Sequence, residues 1–298
     1  MPSAPTLLAN FGRGLLMGTA DVIPGVSGGT VALIVGIYER FVGSVGAGAA
    51  AFFHLLRFDL PGARRRFGEV EWGLVLPLGV GIVTALGIGS RVIPALLEQY
   101  PEQVRAVFFG LIVGSLAIPF RRIGDVGRSE WSLMAACALV AFVLVGLPPR
   151  EIVDPPLYLV FPIAAVAICA MILPGVSGAF LLLAFGIYEA PLEALSHLNL
   201  AYILTFVAGA ALGLGLFSQV LRYLLAHRHA TTMAALVGLM AGSLRALWPW
   251  LDEDRAILGP PDTTALLTMA ALAGAGIVAI SLVARLAAPR ERVDALPH

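Results

Sequence analysis

Long apolar stretches alternate with short polar ones along this chain. The apolar stretches run for roughly 17 to 27 residues, enough to cross about 30 Å of hydrocarbon at 1.5 Å per residue. Six of them read as continuous helices, near 72–98, 104–121, 130–148, 200–226, 232–250 and 264–287. Two others are interrupted midway, at Ile23-Pro24-Gly25-Val26-Ser27-Gly28 and at Leu173-Pro174-Gly175-Val176-Ser177-Gly178. The interruptions are copies of one another. At the same offset of 150, Leu33, Gly36, Ile37, Tyr38 and Glu39 return as Leu183, Gly186, Ile187, Tyr188 and Glu189 without a gap. Downstream the offset falls to 128. There Gly81, Gly87 and Ser90 match Gly209, Gly215 and Ser218, and Gly110 and Gly114-Ser115-Leu116 match Gly238 and Gly242-Ser243-Leu244. A longer loop in the first copy accounts for the change.

The chain therefore divides near Pro149 into repeats 1–149 and 150–298, each a broken element (about 5–56 and 157–195) followed by three helices. Whether the broken element crosses the bilayer or turns back decides the symmetry, and arginines arbitrate, because cytoplasmic loops retain positive charge. If both elements turn back, one side holds Arg57, Arg64, Arg65, Arg66, Arg121, Arg122, Arg128, Arg228, Arg285, Arg290 and Arg292. The other holds little beyond Arg105, Arg150 and Arg255. That segregation favours an all-α polytopic membrane protein of two inverted repeats, each a re-entrant broken-helix hairpin plus three transmembrane helices, with both termini cytoplasmic.

Composition agrees with this solvent. Of 298 residues 59% are hydrophobic and 13% charged, and mean hydropathy is +0.90. Formal net charge is zero, so no global basic field favours nucleic acid. Cys137 and Cys169 lie inside apolar runs without metal-ligand spacing, the five histidines fall in loops or termini, and no metal or cofactor is expected. The segment 1–9 lacks a charged start and a cleavage site, so the first hydrophobic segment is expected to target the chain to the membrane.

Pro24-Gly25 and Pro174-Gly175 stop helices in mid-run and free backbone groups at a depth where lipid cannot satisfy them. Ser27-Gly28-Gly29-Thr30 and Ser177-Gly178 then open new half-helices, with serine in an N-cap position. Two half-helix starts meeting near the midplane offer N–H donors and partial positive charge, which suits an anion, above all a phosphate. Discontinuous helices at matching positions in two halves point to a transporter's substrate site. Pro-Gly pairs also occur as simple kinks in membrane helices; duplication of the serine, glycine and downstream Tyr-Glu favours the binding reading.

Acidic residues supply candidates for coupling to protons or another cation such as sodium. Glu39 and Glu189 are either ordinary interfacial carboxylates or titrating groups that drive transport. Asp21 precedes the first break and has no acidic match in the second copy, where Met171 stands; it reads as a proton or cation site or as a cap. Arg91, inside an apolar run, is a phosphate contact or a residue snorkelling to the interface. Arg13 and Arg40 are weaker candidates of the same kind. A membrane enzyme would need a nucleophile or base constellation, and no such His/Asp or Lys/Arg/His cluster is present in the sequence.

The run Met17-Gly18-Thr19-Ala20-Asp21-Val22-Ile23-Pro24-Gly25-Val26-Ser27-Gly28-Gly29-Thr30, continuing to Gly36-Ile37-Tyr38-Glu39, resembles the polyprenyl-phosphate transporter family over essentially the whole chain. The resemblance implies a multi-pass protein of the bacterial cytoplasmic membrane that returns undecaprenyl phosphate, the carrier lipid of cell-wall precursors, from the outer to the inner leaflet. Residues alone leave a second reading open, a carrier or channel for a small soluble anion. The second copy carries Ala179 and Phe180 opposite Gly29 and Thr30, so its hydroxyl contacts to phosphate would be fewer.

Overall fold

The computed structural model describes residues 4–22, 27–148, 152–252 and 254–287, and these are mostly helical. The first copy holds α1 (Ala4–Val22), α2 (Gly28–Ile34), α3 (Tyr38–Leu56), α4 (Leu60–Gly68), α5 (Trp72–Gln99), α6 (Pro101–Ser115), α7 (Ala117–Arg121) and α8 (Arg128–Leu144). The second holds α9 (Leu157–Ile172), α10 (Gly178–Ala184), α11 (Ala190–Ser196), α12 (Leu200–His227), α13 (His229–Ser243), a 3-10 turn (Leu244–Leu247) and α14 (Thr263–Ala287).

Helix bounds keep the two sequence offsets. The half-helix α2 runs 28 to 34 and α10 runs 178 to 184; α5 runs 72 to 99 and α12 runs 200 to 227; α6 runs 101 to 115 and α13 runs 229 to 243. The repeated Gly-Ile after each half-helix has a local cause. Gly36 and Gly186 take φ +72° and +80°, where a side chain would be strained. Ile37 and Ile187 then donate N–H back to Ala32 O and Leu182 O, each at 2.9 Å, while Gly36 and Gly186 donate to Leu33 O and Leu183 O. This is a Schellman stop, anchored by the burial of both isoleucines.

Glycine also sets how the long helices pair. A Cβ on Gly81 of α5 would lie 2.3 Å from Phe11 O of α1, and one on Gly209 of α12 would lie 2.2 Å from Phe161 O of α9. The same contact is thus made in both copies, its phenylalanines 150 residues apart and its glycines 128. The third helices behave differently. Gly110 and Gly114 of α6 pack against Ala273 and Ile277 of α14, and Gly238 and Gly242 of α13 pack against Met134 and Ala138 of α8. Each copy's α6-type helix therefore seats on the last helix of the other copy, with backbones in the close approach that small residues allow in membranes. One apolar cluster crosses the copies through Met17, Leu33, Tyr38, Leu78, Leu221, Met233 and Met240. Val83, Leu204, Leu267 and Val278 face outward, as lipid-facing side chains do.

Among the described residues, five helices are long and apolar enough to cross a membrane: within Trp72–Gly89, Pro101–Arg121, Leu200–His227, His229–Leu247 and Thr263–Arg285. The sixth expected segment, 130–148, forms α8 of 17 residues, about 26 Å at 1.5 Å per residue, so it falls just short of that length. The expected helix 104–121 is divided at Leu116 into α6 and α7. The loop at 57–66 contains the short helix α4, started by Asp59, whose carboxylate accepts the Gly62 N–H at 2.9 Å.

Candidate functional site

Two ends of the bundle can be told apart by side-chain contacts. At one, called here the basic end, Glu39 at the start of α3 meets Arg122 at 3.7 Å and His229 at 3.3 Å. Arg40 pairs with Glu71 just before α5. At the opposite end, α6 begins, α8 ends and the loop 248–262 closes over them: Arg105 donates to Pro249 O, and Arg255 to Val145 O.

Hydrogen bonds tie each broken element to the segments beside it. Asn10 of α1 donates to Gly73 O at the start of α5, and the N–H of Glu71 donates to Ser44 of α3. In the second copy, Ile152 before α9 donates to Gly186 O after α10 at 2.7 Å. Between these ends the two breaks meet. Ser27 Oγ lies 3.2 Å from both Met171 O and Leu173 O, the carbonyls freed where α9 stops. Thr30 Oγ1 accepts the Gly175 N–H at 2.9 Å. A Cβ on Gly29 would stand 2.5 Å from Ile172 O. Gly29 is therefore needed for one break to approach the other, and Gly175 (φ +84°) for the second break to turn against Met240.

The donors at the start of α2 are occupied from within. Ser27 Oγ accepts the Gly29 N–H at 3.1 Å, and the Asp21 carboxylate accepts the Gly28 N–H at 2.7 Å. Asp21 thus sits where an anion would bind a helix start. Ser177 caps α10 more loosely, accepting the Phe180 N–H at 3.4 Å. Among the predicted residues, Asp21, Ser27, Gly28, Gly29, Thr30, Gly175, Ser177 and Gly178 lie at or beside the facing breaks. Pro174 lies in the described turn, while Pro24 and Gly25 lie outside the described residues, as does the side chain of Arg91. Glu39 and Glu189 stand apart from the breaks and are exposed; Glu39 is in ion pairs, and Glu189 opens α11. Sequence reasoning missed the role of Met171, Ile172 and Leu173. They act through backbone carbonyls, which leave no trace in residue identity; only the duplicated break hinted that the two would meet.

Long apolar helices, interlocked by glycine and enclosing two facing backbone breaks, define a multi-pass α-helical membrane protein. A family model described as undecaprenyl phosphate translocase-like matches residues 17–260, and the chain belongs to that family. It is 36% identical over 245 residues to a polyprenyl-phosphate transporter of Vibrio cholerae, covering 82% of this chain and 79% of the relative. It is 30% identical over 264 residues to a polyprenyl-phosphate transporter of Staphylococcus aureus, covering 82% and 87%. No solved structure matches.

Proposed function

We propose that this protein carries polyprenyl phosphate, such as undecaprenyl phosphate, across the bacterial cytoplasmic membrane from the outer to the inner leaflet. The names of both relatives support the substrate class. The observation that carries the reading is the meeting of the two breaks, Ser27 against Met171 and Leu173 and Thr30 against Gly175. In this reading each repeat, 1–149 and 150–298, begins with a re-entrant hairpin. The return contacts at Glu71–Ser44 and Ile152–Gly186 support that. The repeats are inverted: α5 starts, and α12 ends, at the end where Glu39 meets Arg122 and His229, and that end, rich in arginine, faces the cytoplasm with both termini.

Phosphate binds between the half-helix starts, contacted by Ser27, Gly28, Gly29, Thr30, Ser177 and Gly178, with the prenyl tail left in lipid. To reach Gly28 N–H it displaces the Asp21 carboxylate, so neutralising Asp21 with a proton or cation favours the exchange and couples the two. Because α6 packs on α14 and α8 on α13, the sequence halves do not move as rigid bodies. The motion that alternates access instead separates one break from the other. Reconstituted protein should move labelled undecaprenyl phosphate between liposome leaflets and leave undecaprenol unaffected; no movement above protein-free liposomes would refute the proposal.

A further inference from the structure

At the end opposite Glu39, three arginines converge over the second break. Arg105 of α6 donates to Pro249 O, Arg245 to Phe142 O and Arg255 O, and Arg255 to Val145 O. Their bonds to protein go to backbone carbonyls, and among the described residues no carboxylate lies within ion-pair distance of any of the three. A guanidinium has a fork of N–H donors suited to an oxyanion, and these carbonyl bonds leave part of each fork unused. Arg245 Nε is buried without a hydrogen-bond partner. Burial and the neighbouring Arg105 push the pKa of Arg255 down, so like charges are held together at a cost. Arg255 also adopts φ +61°, a conformation arginine rarely takes. Its guanidinium stands 4.5 Å over the ring of Phe180, three residues after Ser177.

Glu102, one turn before Arg105 on the same helix, is near enough to support its charge but is engaged by Trp250; among the described residues this group of cations, held by carbonyls above the start of α10, has structural partners but no ion pair. We propose that Arg105, Arg245 and Arg255 form an entry site for a phosphate monoester at the outer mouth of the second break, where the headgroup docks before it reaches Ser177. This rests on the transport reading for its direction. A lipid headgroup and free phosphate share the chemistry, and the test separates them. Arg245 also serves as a structural pin, since a Cβ on Gly146 would meet its guanidinium carbon at 1.9 Å; Arg105 and Arg255 are therefore the residues to change.

Two of the four tryptophans report on the site: Trp250 donates to Glu102 on α6, and Trp248 donates to Leu258 O in the closing loop. In nanodiscs, full-length protein carrying Trp72→Phe and Trp131→Phe is titrated with farnesyl phosphate, farnesol and inorganic phosphate, and emission is read. Farnesyl phosphate should shift emission saturably, inorganic phosphate should compete, and farnesol should do nothing. Arg105→Gln and Arg255→Gln should each weaken binding about tenfold or more, and Arg255→Lys less, the variants keeping the wild-type melting temperature. Should a glutamine variant fail to fold, Arg105→Lys and Arg255→Lys replace it, with a smaller weakening expected because the charge remains but the fork is lost. Equal affinity in wild type and both folded variants, or an equal response to farnesol, overturns the site. A response to inorganic phosphate alone keeps the site and assigns it a soluble ligand. If the variants move undecaprenyl phosphate at the wild-type rate, the entry site falls and the transport reading stands. If farnesyl phosphate binds through the arginines but nothing crosses the bilayer, the reverse holds.

Discussion

Replacing Ser27 by alanine removes two interactions made by one atom. Its Oγ accepts the Gly29 N–H at 3.1 Å and donates toward Met171 O or Leu173 O, both at 3.2 Å. Loss of an N-cap costs about 1 kcal/mol, and a side-chain hydrogen bond between membrane helices averages about 0.6 kcal/mol. The expected destabilisation is about 1.5 kcal/mol, roughly a tenfold fall in the ratio of folded to unfolded protein. Ser177→Ala is the matched control. Ser177 caps at the longer distance of 3.4 Å, and among the described residues it makes no hydrogen bond to the first break, so its loss should cost about 0.5 kcal/mol. Unfolding in mixed micelles with increasing dodecyl sulfate, followed by circular dichroism, measures both. Equal midpoints and slopes for the two variants would show that the breaks are not joined through Ser27, and the packing argued for the site would be wrong.

Further outcomes follow from the same geometry. Thr30→Val leaves the buried Gly175 N–H without its acceptor and should lower stability by about 1–3 kcal/mol, whereas Thr30→Ser should restore most of it; thermal unfolding of the pair in detergent measures the difference. Gly81→Val should abolish folded protein, since its Cβ would lie 2.3 Å from Phe11 O, while Gly79→Ala, with nothing within 4 Å, should fold normally; size-exclusion profiles separate them. Asp21→Asn should remove any dependence of lipid movement on an imposed pH gradient, measured in liposomes with and without the gradient. Outside the membrane, the Gly62 N–H and His54 hold Asp59 below the usual carboxylate range. Its contribution to the α3–α4 turn is therefore present above the unfolded value and lost as pH falls through the folded one. The protection of the Gly62 amide against exchange, relative to its intrinsic rate at each pH, should fall in acid, and Asp59→Asn should flatten that dependence.

The sequence by itself determined the solvent and the repeat. Apolar runs of membrane length and the two offsets are properties of residue order, and helix bounds follow them because a helix is satisfied within its own segment. Proline, glycine and serine at the breaks, and glycine-isoleucine beyond them, act locally, so their positions were legible before any packing. Which surfaces meet was not. That α6 seats on the other copy's last helix, that Ser27 reaches the carbonyls of Met171 and Leu173, and that Asp21 occupies the start of α2 all depend on groups far apart in the chain. Backbone carbonyls carry no sequence signal, and Arg245, one arginine among many, met the carbonyls of Phe142 and Arg255 only when α8 and the loop at 248–262 closed around it. Tertiary structure decided these features because each is a relation between separate segments, fixed by how closely glycine lets their backbones approach.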